Sequence, residues 1–577
     1  MGGGCSKSSK DDVGSTATSS HPESAKKRDK VNEAMKEETS SKAVNATPEE
    51  ASLQTFKIKK VDLNENEMKT LKLDDETEIV VVRTSGKLHA IGSKCPHYGG
   101  PLGKGSICDG KVRCPWHGAS FSLETGDVED YPSIDGIAKF PIEETSDHFI
   151  IKGNLKDLRT TGVVKPLSKE DKSSNLKVII VGGGAAGFAC ADTLRKEGFK
   201  GKVTLITREC HLPYDRPKLS KAMSVSPSNI ILKPEEYYKN ADIEVMKLVD
   251  VTGVNIKKMT IQLSNGDDLE YTHLVLATGA SPRRITFPGS NLQNVFYLRC
   301  PEDANTIASA SKGKNVIIAG ASFIGMESAA FLIKDAASVT VVERDGAPYR
   351  RILGDKVGMR VKELHEENGV KFKLETTIME CKGNGGLLEE VVLSDGSCLK
   401  ADVLLLGLGV VPATAFLKDS GLELDPVGYV NVDEHLQTSE PSIYAAGDIA
   451  NFPLTLHSES SPQRTSIGHW SLAMAHGRTA AFNIMGKNRP MKTVPFFWTQ
   501  IFGKSIRYAG YASTFDDVII RGSLADLKFV AYYCSGEKVL AVATLMADPV
   551  AAAFANLLSE RKTLTKAEVL SLPPSLD

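Results

Sequence analysis

The sequence predicts a multidomain chain: a small all-β domain, then an α/β region, then a C-terminal α+β domain. Three observations predict it. Between Thr55 and Lys152 the segments TFKIKKVDL, TEIVVVRTS, KLHAIGSK and HFIIKGN alternate or run apolar and are separated by Gly, Asp and Asn, the pattern of short strands joined by turns. KVIIVGGGAAGFACADTLRKEG, from Lys177, and NVIIAGASFIGMESAAFLIKDA, from Asn315, repeat one strand, glycine turn and helix, as tandem doubly wound folds do. From about Pro490 the pattern changes again: KFVAYYCSG and EKVLAVATL read as a hairpin, and a helical tail begins at Pro549. A chain of 577 residues that is 41% hydrophobic can fill several cores, roughly three to five domains.

Residues 1–52 are rich in Ser, Lys, Glu and Thr and hold no aromatic residue, so they read as a disordered tether that buries too little to fold. The start, MGGGCSKSSK, lacks the apolar core of a secretory signal and fits the M-G-x-x-x-[ST] pattern of myristoylation, with Gly2 as acceptor. A merely flexible start is the alternative. Cys5 is the candidate for palmitate and, with Lys7 and Lys10, supplies the second signal that stable acyl anchoring needs. Residues 11–50 carry many acidic side chains and one Arg, unlike an Arg-rich, acid-poor mitochondrial import signal. The expectation is a cytoplasmic chain attached peripherally to a membrane by acylation. No transmembrane segment is expected, because the longest apolar stretch, Val539 to Leu558, is interrupted by Asp548 and Pro549. A formal charge of −2 shows no basic excess, so nucleic acid is not an expected partner. Ten cysteines without an even framework argue for a reducing compartment.

Within the β domain, KCPHYGGPLGKGSICDGKVRCPWHGASF holds Cys95-Pro-His97 and Cys114-Pro-Trp-His117. Zinc is the alternative metal, but zinc knuckles open with paired cysteines and place the histidines together. Here each pair is mixed, which suits a [2Fe-2S] cluster with two thiolates on one iron and two imidazoles on the other. Gly99, Gly103, Gly105 and Gly118 read as tight-turn positions. The loops resemble those of Rieske domains, which implies Cys95, His97, Cys114 and His117 as the ligands. High-potential Rieske proteins of respiratory complexes carry a disulfide and Ser and Tyr donors around the cluster. This chain has Gly100, Trp116, Ala119 and Phe121 at those places, so the resemblance implies a lower-potential cluster of the kind reduced by flavoproteins. A Rieske oxygenase also needs a mononuclear iron held by two His and a carboxylate; the twelve histidines include no pair four or five residues apart, so that activity is not expected.

VIIVGGGAAG places Gly182, Gly184 and Gly187 in G-x-G-x-x-G between a strand and a helix, where the backbone can approach a pyrophosphate at the helix N-terminus. The next strand, KVTLITRE, ends at Glu209, the candidate for a ribose hydroxyl. HLPYDRPKLSK follows from His211, then Ala277-Thr278-Gly279, then SIYAAGDIA with Gly447 and Asp448. In this order the segments resemble the FAD-dependent ferredoxin-reductase-like group of the pyridine nucleotide-disulfide oxidoreductases, including apoptosis-inducing-factor-like flavoproteins. The resemblance implies Arg216, Lys221, Thr278, Gly279, Gly447 and Asp448 as FAD contacts. It also implies that His469 and Trp470 of GHWSLAMAHGRTAAFNI, and Trp498 of VPFFWTQIFGKSIRYAGY, lie near the flavin, with core packing the alternative for each.

In the second repeat Gly320 and Gly325 flank Ser322, whose side chain is expected to crowd a pyrophosphate. SVTVVERD ends at Glu343; a carboxylate there accepts from a 2′-hydroxyl and repels a 2′-phosphate, so NADH is preferred to NADPH. Glu327 matches a carboxylate near flavin and nicotinamide in the relatives and, with Trp498, is the catalytic candidate; an exposed or capping position is the alternative. Cys190, Cys210, Cys300, Cys381, Cys398 and Cys534 include no C-x4-C or C-x2-C pair, so they read as ordinary thiols rather than a redox disulfide.

The resemblance covers nearly all of the chain after residue 52. It divides the chain into a Rieske domain at 53–153, a linker at 154–175, an FAD domain at 176–300 and 431–489, an NAD domain at 301–430, and a C-terminal domain at 490–577. It implies that NADH reduces FAD and that electrons pass to the [2Fe-2S] cluster and on to an acceptor the sequence does not name. The alternative from the same resemblance is a redox-sensing, death-promoting interaction protein with slow catalysis. A homodimer and a mitochondrial address are further expectations from it.

Overall fold

The computed structural model describes residues 52–458, 462–573 and 575–576, so the acylation candidates Gly2 and Cys5 lie outside the described residues. The first domain is three small antiparallel sheets. Gln54–Lys59 pairs with His148–Gly153, closing the domain's first strand on its last. Glu67–Lys72, Glu78–Thr84 and Lys87–Gly92 form a meander with Lys139–Phe140 at its edge. The apolar run Ile79 to Val82 is fully buried because its two faces serve two cores. Val80 and Val82 pack with Ile91, Leu102 and Phe121, while Ile79 and Val81 pack with Phe140, Phe149 and Ile151. A further sheet, Ser106–Cys108, Lys111–Arg113, Ser120–Ser122 and Val128–Asp130, carries the loop of Cys114 and His117 between its second and third strands.

Residues 154–175, expected as a linker, contain a helix, Leu155–Arg159, whose start is capped by the Asn154 side chain accepting from the Asp157 N–H. Further along, Val163 bridges to Gly136, and Lys165 pairs with both Asp127 and Glu197. Polar composition hid the Asn154 and Lys165 contacts because the polar side chains themselves make them, and the Val163 bridge is made by backbone alone.

Two five-stranded parallel sheets follow, built alike. The first runs Ile243–Lys247, Lys202–Thr207, Lys177–Val181, His273–Leu276, Ile443–Ala445; the second runs Lys371–Lys373, Ser338–Val342, Asn315–Ala319, Val403–Leu406, Val295–Phe296. In each, an antiparallel three-stranded meander precedes the fourth strand in that order, at Val251–Asn255, Thr260–Leu263 and Asp268–Glu270 and again at Ile378–Asn384, Leu387–Leu393 and Cys398–Lys400. The repeat is thus wider than the two glycine turns. Val295–Phe296 lies before residue 301 yet belongs to the second sheet. Val410–Pro412 already pairs back with Ala280–Pro282, and Leu417, Leu422 and Val430 pack into the first core. Strands of two or three residues carry too little periodicity to mark these edges in the sequence.

The last five strands form one antiparallel sheet in the order Phe496–Ile501, Lys504–Gly510, Lys538–Leu545, Lys528–Ser535, Asp517–Ser523. Lys528–Ser535 and Lys538–Leu545 are the hairpin the sequence predicts. Helix Val550–Ser559 packs on this sheet and reaches the Rieske-like domain at Ser106–Cys108. No helix among the described residues is long and apolar enough to cross a membrane.

Candidate functional site

The two cysteine–histidine loops are closed by the same pair of hydrogen bonds. The Cys95 N–H donates to Gly100 O at 2.8 Å and the Gly99 N–H to Cys95 O at 2.9 Å; the Cys114 N–H donates to Ala119 O at 2.7 Å and the Gly118 N–H to Cys114 O at 3.3 Å. Gly99 and Gly118 have φ of 71° and 76°, the left-handed turn that favours glycine. Gly103 and Gly105 are not turn glycines of this kind. A Cβ on them would lie 2.1 Å from Thr70 Oγ1 and 2.2 Å from Arg113 O, so they are needed for close approach.

The loops bring four donors together. Cys95 and Cys114 are 2% and 1% exposed, and their thiols are within hydrogen-bonding reach of each other. The Nδ1 atoms of His97 and His117 face each other at 3.0 Å. Burial, with the charge of Lys218, holds His97 down at about 3, and burial pushes His117 well below the usual range. Two buried thiols and two neutral, facing imidazoles are the donor set that a [2Fe-2S] cluster of mixed ligation requires.

What these loops touch was not legible in any motif. The ring centre of Trp498 lies 4.2 Å from that of His117 and 5.6 Å from that of His97. The Phe496 ring fills the space beside Gly118, where a Cβ would come within 2.5 Å of it. Tyr98 stacks on His97 at 3.9 Å, and its hydroxyl donates to the buried Asp215 of HLPYDRPKLSK. Arg507 donates to Trp116 O at 3.1 Å, Arg113 to Asn556 Oδ1 at 2.7 Å, and Lys233 pairs with Asp135 at 2.7 Å. Through these contacts the loops dock on both the first α/β domain and the C-terminal sheet.

Behind Trp498 lies a cavity of about 390 Å³. Its lining includes Gly182, Gly184, Glu209, Arg216, Lys221, Thr278, Gly279, Glu327, Gly447, Asp448, His469, Trp470 and Trp498. A Cβ at Gly182 would lie 2.1 Å from Ala277 O and one at Gly187 would lie 1.9 Å from Gly182 O, whereas Gly184 has nothing within 4 Å. The turn is therefore packed behind Gly182 and Gly187 and open at Gly184, where a pyrophosphate could approach the helix N-terminus. Arg216 pairs with Glu209 at 2.9 Å and donates to Arg299 O at 2.6 Å. Arg299, absent from any motif, lines the same cavity. Burial raises the Asp448 carboxyl against the opposing charges of Arg299 and Arg216.

Glu327 is 4% exposed, neither capping nor solvated. It pairs with Lys221 at 2.8 Å and accepts from Thr499 at 2.6 Å and from Ser220. His469 packs on Phe497 at 4.5 Å; burial holds its imidazole down at about 4, and its Nδ1 is buried without a partner. A neutral orphaned nitrogen on the cavity wall fits a bound polar group.

In the second repeat a Cβ at Gly320 would lie 2.4 Å from Gly407 O, and one at Gly325 would lie 2.0 Å from Gly320 O. Ser322 begins helix Phe323–Leu332 at φ −93° and ψ −171°, nearly the conformation of Gly184 at φ −86° and ψ −165°, so the serine sits there without backbone strain. The Glu343 carboxylate accepts from the N–H groups of Ala321 at 2.5 Å and Asp345 at 3.0 Å, which fixes it beside the glycine turn. The seven described cysteines outside the two loops, Cys108 among them, are free thiols.

A family model for pyridine nucleotide-disulphide oxidoreductases matches residues 176–477. The chain belongs to that family. Models of the Rieske [2Fe-2S] domain and of the reductase C-terminal domain match residues 54–141 and 496–576. Apoptosis-inducing factor 3 of Homo sapiens is 42% identical over 513 residues, covering 88% of this chain and 84% of that protein. The ferredoxin reductase component of chlorobenzene dioxygenase from a Cupriavidus strain is 32% identical over 402 residues, 69% of this chain and 96% of that one. Among solved structures, a ferredoxin reductase from Rhodopseudomonas palustris aligns with a TM-score of 0.65 at 30% identity, over 70% of this chain and 99% of its own. As a pyridine nucleotide-disulphide oxidoreductase with a Rieske domain, the chain is an FAD-dependent enzyme that uses FAD, NADH and a [2Fe-2S] cluster. The two ferredoxin reductases align with about 70% of this chain, which also carries a Rieske [2Fe-2S] domain over residues 54–141.

Proposed function

We propose that electrons pass from NADH through FAD to the chain's own Rieske cluster and from there to a separate acceptor. The observation that carries this reading is the position of Trp498, which lines the cavity of Gly182 and Arg216 and lies against both His97 and His117. When bound, FAD accepts a hydride and releases electrons singly, and the cluster accepts them one at a time.

The chain's residues hold and shield these groups. Cys95, His97, Cys114 and His117 hold the cluster, and Tyr98 fixes the first loop by its bond to Asp215. Gly182, Gly184 and Gly187 admit the FAD pyrophosphate, with Glu209 and Arg216 acting there as a neutralised pair. Thr278 is held by its bond to Ala413 O at 2.8 Å and, with Gly279, Gly447 and Asp448, borders the rest of the cofactor. His469 and Trp470 wall the cavity, and the Lys221–Glu327 pair sets a fixed dipole on it. Trp498 excludes water between the cavity and the imidazoles. Gly320, Gly325 and Glu343 take NADH in preference to NADPH. With Gly100, Trp116, Ala119 and Phe121 around it, the cluster has the lower potential that a flavin donor serves.

The test is turnover. The holoprotein should oxidise NADH many times with a soluble one-electron acceptor. Cys114→Ser, which removes a cluster ligand, should keep bleaching of the flavin by NADH and lose transfer to any acceptor served by the cluster. Unchanged transfer in Cys114→Ser would count against the route.

A second reading draws on the names of the 42% identical relatives: a death-promoting protein in which NADH binding changes assembly. A homodimer and a mitochondrial address belong to that reading, and a variant without reductase activity that still triggers death would support it. Membrane attachment through Gly2 and Cys5 is proposed from the acylation pattern alone. Loss of membrane association in Gly2→Ala checks it.

A further inference from the structure

Among the described residues, Cys210, His211 and Glu302 bring a thiol, an imidazole and a carboxylate together, with ligand atoms all within 4.8 Å of one another. His211 Nε2 lies 3.4 Å from Cys210 Sγ and 2.5 Å from Glu302 Oε1, so one nitrogen faces both other donors. Around a tetrahedral Zn²⁺, bonded at about 2.3 Å to sulfur and about 2.0–2.1 Å to nitrogen and oxygen, such atoms stand roughly 3.3–3.6 Å apart. The sulfur–nitrogen distance already fits. The nitrogen–oxygen contact is a hydrogen bond that must open by about 0.8 Å when a metal replaces the shared proton.

The three residues come from two segments. Cys210 and His211 follow Glu209, just beyond strand Lys202–Thr207, and Glu302 is in the first turn of helix Pro301–Ser311, which leads into the second α/β sheet. Arg216 already joins the same segments through Glu209 and Arg299 O. The Cys210 thiol is exposed, and the His211 and Glu302 side chains are 18% and 55% exposed, so the cluster is open to solvent. This leaves room for a water as fourth ligand.

We propose that Cys210, His211 and Glu302 form a binding site for a thiophilic divalent cation, Zn²⁺ before others, at the junction of the FAD and NAD segments and apart from the Rieske cluster. Thiolate and imidazole select zinc over Mg²⁺ and Ca²⁺, which take oxygen ligands. On binding, the Cys210 S–H proton leaves to water as the metal–sulfur bond forms, the proton shared with Glu302 leaves Nε2 so that His211 binds as the neutral Nδ1–H tautomer, and no electron moves. The adjacency of Cys210 and His211 matches no zinc spacing, which is why sequence reading passed over it.

The test uses the holoprotein with flavin and cluster in place. Zn²⁺ alone is titrated against a chromophoric chelator, and Co²⁺ is titrated separately, its thiolate charge-transfer band read in the difference spectrum. One Zn²⁺ per chain is expected, and Cys210→Ser or Glu302→Gln should weaken it more than about 100-fold, beyond the 10- to 100-fold cost of losing an outer-shell partner. The Co²⁺ band should vanish in Cys210→Ser and persist in Cys398→Ser, a thiol whose neighbours are Glu390 and Lys382. Flavin and cluster absorption report that each variant is folded. No stoichiometric binding, binding unchanged in Cys210→Ser, or a band lost in Cys398→Ser would each overturn the site.

Discussion

The ring of Trp498 lies 4.2 Å from that of His117, centre to centre, at an angle of 45°, and the same indole lines the cavity behind it. The side chain therefore fills the gap between the Rieske loops and that cavity. Trp498→Leu should leave bleaching of the flavin by NADH intact and slow NADH-driven reduction of the cluster by about 10- to 100-fold, the scale of a small misplacement of reacting groups. Trp498→Phe should slow it less. Stopped-flow absorbance at flavin and cluster wavelengths separates the two phases.

Tyr98 and Asp215 join the first cluster loop to the flavin segment. Tyr98→Phe removes one donor from a buried carboxyl, while Lys218 remains 3.8 Å away. The expected loss is about 1–3 kcal/mol, read as a lower denaturant midpoint for loss of the cluster's absorption.

Glu327→Gln leaves the Lys221 ammonium without its partner; Ser220 and Thr499 bond different carboxylate oxygens, so one hydroxyl still donates to the amide oxygen and the other must accept from the NH2. Breaking a buried pair costs about 3–5 kcal/mol, and the partial exposure of Lys221, 19%, puts the expected loss at the low end. The double variant with Lys221→Met should recover part of it. Denaturant midpoints of the two variants and the parent check this.

Glu343 is the carboxylate proposed to set the nucleotide preference. Ala321 and Asp345 donate to different oxygens of Glu343, so Glu343→Gln keeps an acceptor for one of them and removes the charge that repels a 2′-phosphate. The KM for NADPH should fall about 10-fold, or about 1.4 kcal/mol, with a smaller change for NADH. Steady-state rates with both nucleotides measure it.

Acid should loosen the contact between residues 154–175 and the FAD domain. Burial pushes the Glu197 carboxyl up, but Lys487 and Lys165 outweigh it and hold it down at about 2, against 4.5 when free. Its contribution to stability is therefore complete above about pH 4.5 and lost as pH falls towards 2. Glu197→Gln should flatten the dependence of the denaturant midpoint on pH in that window and leave the slope at neutral pH unchanged.

The cluster ligands and the glycine turns were legible in the sequence because each lies within a few residues of its partners. Cys95 and His97, or Gly182 and Gly187, show their pairing by spacing, and the resemblance then implies their chemistry. Tyr98, Asp215, Arg299 and Arg507 did not, because each is ordinary in its own segment and acquires a role only through docking of distant segments. The same limit applies to Ile79–Val82, which reads as a strand but not as a wall between two cores. It applies again to Val295–Phe296, too short to announce the sheet it joins.

The central claim is that one chain carries electrons from NADH to its own Rieske cluster. Anaerobic titration of the holoprotein with NADH, followed by visible absorption and low-temperature EPR, tests it most directly. The flavin band should bleach and a reduced Rieske-type signal should then grow in. A bleached flavin beside a cluster that stays oxidised would contradict the account.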